Sequence, residues 1–164
     1  LAHNPGNCII YFGAYSYMGE VLALLEPELN DRHVCVQQRE WPETERQALL
    51  DTLQSRRDVA AFCILGGVVG EGGDLPGEAL TSVVVVGAGL PQFNREQEVL
   101  RDYYQRKLGQ GFEYAYLYPG MQRVSQALGR VIRTESDTGA ALLIDPRYRE
   151  PAYRALLPPW WEYR

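Results

Sequence analysis

The chain has 164 residues and a formal net charge of −5, with 46% hydrophobic and 23% charged residues. This length and composition predict one globular domain with a sizeable core and exclude a disordered segment. The acidic balance argues against an independent binder of the phosphate backbone, which usually carries a basic surplus. No apolar run approaches the roughly 18 residues of a membrane span, so we expect no membrane partner.

Strand-like and helix-like segments alternate through the first part of the chain. Short apolar runs predict strands at residues 7–12, 34–37 and 59–65, and helical patterns lie at residues 16–25 and 42–57. This alternation predicts a parallel α/β sheet, whose ligand sites we expect at the carboxyl ends of the strands.

The second part of the chain continues the pattern with strands predicted at residues 82–87 and 140–145 and a short helix near Pro151. Asn94, with Gln97 three residues on, predicts a capping box at the start of a long helix that ends at Gly109. Residues 112–119 are aromatic, and we expect an irregular segment whose rings mostly pack in the core.

A helix predicted at residues 120–133 has one polar and one apolar face. The polar face carries four residues at i, i+3, i+4 and i+7 spacing: Gln126, Gly129, Arg130 and Arg133. The apolar face carries Met121, Val124, Leu128 and Val131. A guanidinium stays ionised and presents a planar fork of donors to phosphate oxygens, and a glycine between two arginines leaves room for a ligand. The pattern alone leaves open whether this face binds phosphate or is solvated.

Residues 66–77 form a glycine-rich stretch after the third predicted strand. It matches neither the P-loop nor the dinucleotide-binding glycine pattern, and the only lysine, Lys107, lies in another predicted element. The chain therefore lacks a self-sufficient triphosphate cradle. Two carboxylates in the stretch, Glu71 and Asp74, are interpreted either as turn residues or as contacts to a ribose, a water or the arginine helix.

The three cysteines, Cys8, Cys35 and Cys63, each lie in an apolar, strand-like run. None has the spacing of a Cys-x-x-Cys or Cys/His metal site, so we predict buried thiols and no metal ligands in this chain. Unpaired thiols favour a reducing compartment, and we expect a cytoplasmic protein.

Three segments together resemble the DinG/XPD-type superfamily 2 DNA helicases. The pattern GG-x-x-x-EG-x-DLPGE at residues 66–78 is similar to helicase motif V, and YPGMQRVSQALGRVIRTESDTGAALLIDPRY at residues 118–148 is similar to motif VI and the strand after it. CIIYFGAYSYM at residues 8–18 is similar to motif IV. The resemblance covers nearly the whole chain, and EG-x-DLPG distinguishes this branch from helicases that share only Q-x-x-G-R-x-x-R.

The resemblance implies that residues 1–164 are a single domain, the second RecA-like motor domain of such a helicase. It is expected to be an α/β three-layer sandwich with a mainly parallel central sheet. ATP and Mg²⁺ would lie between it and an N-terminal RecA-like domain that is absent from the chain and holds most of their ligands. Single-stranded DNA would be the partner, with 5′ to 3′ translocation, and an iron–sulfur cluster is possible only in the full-length protein.

The resemblance also implies residue roles. Arg133 would be the arginine finger, Arg130 a second phosphate or coupling contact, and Gln126 a polar link to the nucleotide beside Gly129. Glu71 and Asp74 would couple the nucleotide to the grip on the strand. Five residues in the motif IV and V loops would contact nucleic acid: Gly13, Ala14, Tyr15, Gly67 and Val68.

The chain departs from the family pattern in the motif IV loop and in the motif V loop. Gly70 and Gly73 stand where the family usually has Ser or Ala and a bulky aliphatic residue, which softens the motif V loop. Gly13 and Ala14 replace a usual Pro-Ser pair. Two alternatives remain open at this point: an independent α/β enzyme that uses Glu71 and Asp74 as an acid/base pair, and a RecA-like domain that only binds a partner.

Overall fold

A computed structural model describes residues 6–29, 31–67, 79–131, 138–159 and 161–162 of the chain. Four predicted site residues, Val68, Glu71, Asp74 and Arg133, lie outside the described residues. The predicted strands and most of the predicted helices lie within them. Across these ranges no helix combines the length and the apolar character needed to cross a membrane.

The described strands form one parallel sheet with the order β2-β3-β1-β4-β5. Their bounds are Cys8–Phe12 for β1, His33–Val36 for β2, Val59–Ile64 for β3, Ser82–Val86 for β4 and Ala140–Ile144 for β5. Each boundary lies within one residue of its predicted position. The predicted parallel α/β sheet is confirmed.

Most of the described helices pack on the two faces of this sheet. Their bounds are Tyr15–Leu25 for α1, Glu43–Ser55 for α2, Arg95–Leu108 for α3, Tyr118–Leu128 for α4 and Pro151–Arg154 for α5. Alternate side chains of each strand point to opposite faces. Accordingly Ile9 and Tyr11 pack in the core under α2 and α4, whereas Ile10 and Phe12 pack in the core under α1. The result is the expected three-layer sandwich.

A fully buried amide, Asn7, joins the segments at the side of the sheet where the strands begin, which we call the amino edge. Its Nδ2 donates to the carbonyl oxygens of Leu53 at 2.7 Å, Arg56 at 2.8 Å and Ala79 at 2.7 Å. Its Oδ1 accepts from the Val59 amide at 2.9 Å. One side chain therefore binds the main chain at the end of α2, the start of β3 and the approach to β4.

Helix α4 crosses the sheet from the carboxyl edge, where the strands end, to the amino edge. Near its start, the carbonyl oxygen of Gly120 lies 2.8 Å from the position of a Cβ built on Gly89, which follows β4. Beyond its end, the side chain of Val131 contacts the position of a Cβ built on Gly139, just before β5. The two ends of α4 thus lie at opposite edges of the sheet.

The helix predicted at residues 120–133 is placed differently in the structure. It begins at Tyr118 and ends at Leu128. Past that point the main chain tightens, because the amides of Arg130 and Val131 donate to carbonyls three residues back, at 3.2 and 3.1 Å. The prediction of one regular helix through residue 131 was wrong: Gly129 and Arg130 lie in a turn, where Val131 packs over the amino edge.

The prediction of an irregular segment at residues 112–119 was also wrong. Residues Glu113–Leu117 form a π-helix that continues directly into α4, and the amide of Tyr118 donates to the Glu113 carbonyl. This π-helix packs against α3, so that tertiary contact determines a local geometry that residue preferences do not indicate.

The capping box predicted for α3 is half formed. Asn94 Oδ1 accepts from the Gln97 amide at 2.8 Å, and Gly109 ends the helix at φ 70°, both as predicted. The Gln97 side chain, however, donates to the carbonyl of Ala115 in the π-helix instead of returning to Asn94. Because the π-helix packs on α3, the Gln97 side chain bonds to it and the second hydrogen bond of the capping box does not form.

Candidate functional site

The predicted apolar side of α4 is confirmed even though the helix ends early, whereas the predicted polar side is described only as far as Arg130. Met121, Val124, Leu128 and Val131 are all buried. Gln126 and Gly129 are exposed, and Arg130 is half-buried. The last turn of α4 and the turn after it therefore present an amide and a guanidinium at the amino edge.

The guanidinium of Arg130 acts electrostatically on Tyr11, a buried residue of β1. Burial raises the pKa of the Tyr11 hydroxyl and the Cys63 thiol raises it further, whereas the Arg130 guanidinium lowers it. Tyr11 is fully buried, and its hydroxyl makes no hydrogen bond within the described part of the chain. A half-buried guanidinium is screened less by water than an exposed one, so its attraction for a phosphate is stronger.

The described residues do not fit a resident metal centre. They contain no group of three or more His, Cys, Asp or Glu side chains that could hold a metal ion. The three cysteines are free and lie in three different strands, and burial raises the pKa of each thiol. Three separated thiols do not supply the four thiolates of an iron–sulfur cluster.

The residues predicted to contact nucleic acid lie at the carboxyl edge. Gly13 and Ala14 follow β1 and are exposed, and Tyr15, the first residue of α1, is half-buried. Gly67 lies after β3 and is half-buried. The structure thus brings the ends of two adjacent parallel strands, β1 and β3, to one edge, as their sequence positions predict.

A buried glutamine, which the sequence did not single out, joins these two loops. Gln37 is 3% exposed. Its Oε1 accepts from the Ile64 amide at 2.9 Å, and its Nε2 donates to the Tyr15 hydroxyl at 3.4 Å. That hydroxyl in turn donates to the Gln38 carbonyl at 3.1 Å. The only signal in the sequence is a polar pair directly after an apolar strand.

The first two glycines of the motif V loop each lie too close to a neighbouring group to accept a side chain without displacing it. Gly66 has φ +73°, and a Cβ there would lie 2.9 Å from Arg123 Cδ. A Cβ on Gly67 would lie 3.0 Å from the Ile64 carbonyl oxygen and 3.1 Å from Gln37 Nε2. Larger residues would therefore displace the groups that position the loop.

Arg123, also missed in the sequence, lies on α4 between two of these loops. It packs against Gly66, and its Nη1 donates to the Gly89 carbonyl at 3.3 Å. It therefore joins the segment after β3 to the segment after β4. Arg123 falls between the two faces assigned to this helix, so the face pattern gave no signal for it.

The aromatic residues near the start of α4 are mostly at the surface. Tyr116 is buried, but Phe112, Tyr114 and Tyr118 are 44%, 39% and 36% exposed. The expectation that most of these rings pack in the core was wrong. They pack on α3, which lies outside the sheet layers, instead of on the sheet.

The family model described as helicase C-terminal domain matches residues 1–164. The XPD helicase subunit of general transcription and DNA repair factor IIH from Dictyostelium discoideum is 30% identical over 172 residues, covering 95% of this chain and 21% of the relative. The ATP-dependent DNA helicase chl1 of Aspergillus niger is 26% identical, covering 95% and 22%. The chain thus spans about a fifth of the length of these curated relatives.

Known structures share the fold. An XPD helicase structure superposes with a TM-score of 0.74 at 20% identity, over 92% of this chain and 27% of that one. The C-terminal domain of the DEAD-box protein Dbp5 superposes with a TM-score of 0.55 at 16% identity, over 93% and 69%. The fold of this chain is that of a RecA-like helicase domain.

Proposed function

Because the chain belongs to the helicase C-terminal domain family, we propose that it is the second motor domain of an ATP-dependent DNA helicase. The observation that carries this proposal is the pair Gln126 and Arg130, presented at the amino edge without a metal cluster in the described ranges. Side chains that can bind phosphate, in a chain that has no phosphate-binding loop of its own, fit one half of an ATP site shared by two domains. The other half belongs to an N-terminal RecA-like domain of the same protein.

In this proposal the chain supplies positive charge to the phosphoryl group that is transferred. Arg133, by its position in motif VI, is the arginine finger, and its N–H donors stabilise charge that develops on the γ-phosphate oxygens. Arg130 contacts a neighbouring phosphate, Gln126 contacts the nucleotide, and Gly129 leaves space beside them. Mg²⁺ is held mainly by the first domain, by analogy with the family that the motifs resemble.

The carboxyl edge binds single-stranded DNA in the same proposal. The main chain at exposed Gly13 and Ala14 and at half-buried Gly67 can approach the strand closely, with Tyr15 beside it and Val68 next along the loop. Glu71 and Asp74 couple this loop to the nucleotide. Helix α4 supports such coupling, because it joins Arg123 at the carboxyl edge to Arg130 beyond its other end.

A comparison of the isolated domain with the full-length protein tests the shared ATP site. The purified 164-residue chain, shown to be folded by circular dichroism, should give no ATP turnover above a buffer blank. The full-length protein should hydrolyse ATP and be stimulated by single-stranded DNA. Turnover by the isolated chain that is lost on Glu71→Gln or Asp74→Asn would instead support the independent enzyme.

Translocation polarity is a separate part of the proposal. We propose 5′ to 3′ movement in the cytoplasm, by analogy with the family that the motifs resemble. Strand displacement by the full-length protein on duplexes with a 5′ or a 3′ single-stranded tail tests this. Unwinding should require the 5′ tail, and equal or greater unwinding from the 3′ tail would contradict it.

A further inference from the structure

Helix α3 lies apart from the core. None of its 14 described residues is buried, and its packing partner is the segment that leads into α4. Even so, it exposes large side chains: Val99 at 63%, Tyr103 at 46% and Leu100 at 44%. A surface helix usually buries one apolar face. These side chains therefore leave an apolar face of α3 uncovered by the described residues.

Four tyrosine rings form a continuous series across α3 and the start of α4. Tyr103 and Tyr104 are 5.2 Å apart between centroids, Tyr104 and Tyr114 are stacked at 4.9 Å, and Tyr114 and Tyr118 meet edge to face at 5.1 Å. Three of the four are exposed and Tyr104 is half-buried. We call these four residues the tyrosine series. It offers apolar ring surface with polar hydroxyls to a ligand.

Positive charge lies at one end of the tyrosine series. Lys107 Nζ donates to the Tyr103 hydroxyl at 3.0 Å and lies 5.3 Å from its ring centroid. The nearby acids Glu98 and Asp102 both pair with Arg101, at 2.7 and 3.2 Å. Among the described residues Lys107 has no carboxylate partner. One further acid, Glu113, lies next to Tyr114 in the chain. The neighbouring Arg106 adds a second positive charge.

The tyrosine series extends from the carboxyl edge. Asn94 caps the start of α3, and a short segment that contains Gly89 joins it to the end of β4. Helix α4 lies beside this segment and contacts Gly89. The series therefore starts, at Tyr118, from the same edge of the sheet as the loops after β1 and β3. A strand that crosses those loops could continue onto α3.

We propose that the tyrosine series is a further binding surface for single-stranded nucleic acid. Bases stack on the exposed phenol rings, and phosphates contact Lys107 and Arg106. Base–aromatic stacking accepts any base, because every base has a π-face, and cations beside the rings add attraction for the backbone. The inference rests on the proposed function only in that the domain meets a single strand.

The test is equilibrium binding of the full-length protein to fluorescent 20-nucleotide thymidine and uridine strands, across a series of salt concentrations. Tyr103→Ala and Tyr114→Ala should each weaken binding about tenfold, with little change in the salt dependence. Tyr103→Phe keeps the ring and should bind within about twofold of wild type. Lys107→Ala should reduce the slope of log affinity against log salt by about one.

Val99→Ala is the matched control, because Val99 is exposed on the same helix but is not aromatic. It should leave strand binding unchanged. A strand of abasic sites keeps the phosphates but has no bases, so the tyrosine variants should bind it as wild type does. Circular dichroism shows whether each variant is folded. Tyr114→Phe, a second variant that keeps the ring, helps to separate the loss of stacking from the loss of folding.

Other outcomes would overturn the inference. If Tyr103→Ala and Tyr114→Ala bind within about twofold of wild type while folded, the rings do not stack on bases. If Val99→Ala weakens binding as much as they do, the surface is not selective for rings, and a protein partner is the better interpretation. If the wild-type protein binds no strand at all, the proposed function fails as well; normal binding by the variants refutes the tyrosine series alone.

Discussion

The two edges of the sheet each contain a buried amide, and the two amides make different contacts. Asn7 at the amino edge bonds only main-chain atoms, in α2, β3 and the segment before β4. Gln37 at the carboxyl edge bonds one main-chain amide and one side-chain hydroxyl. The partners of the Asn7 side chain are therefore all main-chain groups, whereas one partner of the Gln37 side chain is itself a side chain.

This difference suits the two proposed roles. Charge stabilisation of a transferred phosphoryl group needs donors at fixed positions, and Arg130 follows a helix packed onto a backbone-bonded edge. A single strand has a flexible backbone, and the loops that would contact it are joined through Tyr15, Gln37 and Arg123. Side-chain contacts of this kind can rearrange at lower cost than a network of main-chain bonds.

The largest expected effect is that of the proposed arginine finger, Arg133. In the full-length protein, Arg133→Ala should lower ATP turnover by about 10³–10⁵, because an arginine finger acts mainly in the transition state. ATP affinity should stay within about tenfold, since ground-state contacts belong to the first domain. Steady-state ATPase and nucleotide binding measure the two effects separately.

Two further variants sharpen this result. Arg133→Lys should restore little activity, because an ammonium does not reproduce the planar fork. Arg130→Ala should weaken both turnover and its stimulation by single-stranded DNA. Near-normal turnover of Arg133→Ala would show that the arginines occupy a solvated face and have no catalytic role.

The next effect concerns stability. Asn7→Leu should lower the free energy of unfolding by about 2–4 kcal/mol, because buried main-chain groups lose their hydrogen-bond partner. Gln37→Leu should cost less, about 1–2 kcal/mol, since fewer buried groups depend on it. Urea unfolding of both variants measures the difference. Equal losses would remove the distinction between the two buried amides.

A smaller effect is expected on strand binding. Gln37→Leu should weaken single-stranded DNA binding by the full-length protein about tenfold, because Tyr15 and the loop after β3 lose their common contact. ATPase without DNA should be unchanged. Tyr15→Phe keeps the ring but loses the hydroxyl, so it should reproduce part of the effect. If Gln37→Leu lowers the DNA-free ATPase as much as DNA binding, the residue has only a general structural role.

The smallest effect is expected at α3. Asn94→Ala removes the cap to the Gln97 amide and should cost about 1 kcal/mol. Because α3 buries none of its described residues, the loss should be local. Hydrogen exchange should become faster in α3, with little change in β1 or β4. A uniform increase across the sheet would show that α3 unfolds together with the core.

The sequence by itself determined the elements whose pattern reflects burial. The three central strands, β1, β3 and β4, read as short apolar runs because they are covered on both faces, and Cys8 and Cys63 lie inside for the same reason. Met121, Val124 and Leu128 repeat at helical spacing because one side of α4 packs on the sheet. The helicase motifs likewise depend on local order and spacing, which the sequence shows directly.

Only the tertiary structure decided how distant segments meet. Helix α4 ends at Leu128 because Val131 packs over the amino edge, and the π-helix forms where Gln97 and Tyr116 join it to α3. Gln37 and Arg123 acquire their positions from partners that are remote in the chain. The physical reason is that hydrogen bonds and packing across separate elements leave no periodic trace in sequence, whereas burial of one face does.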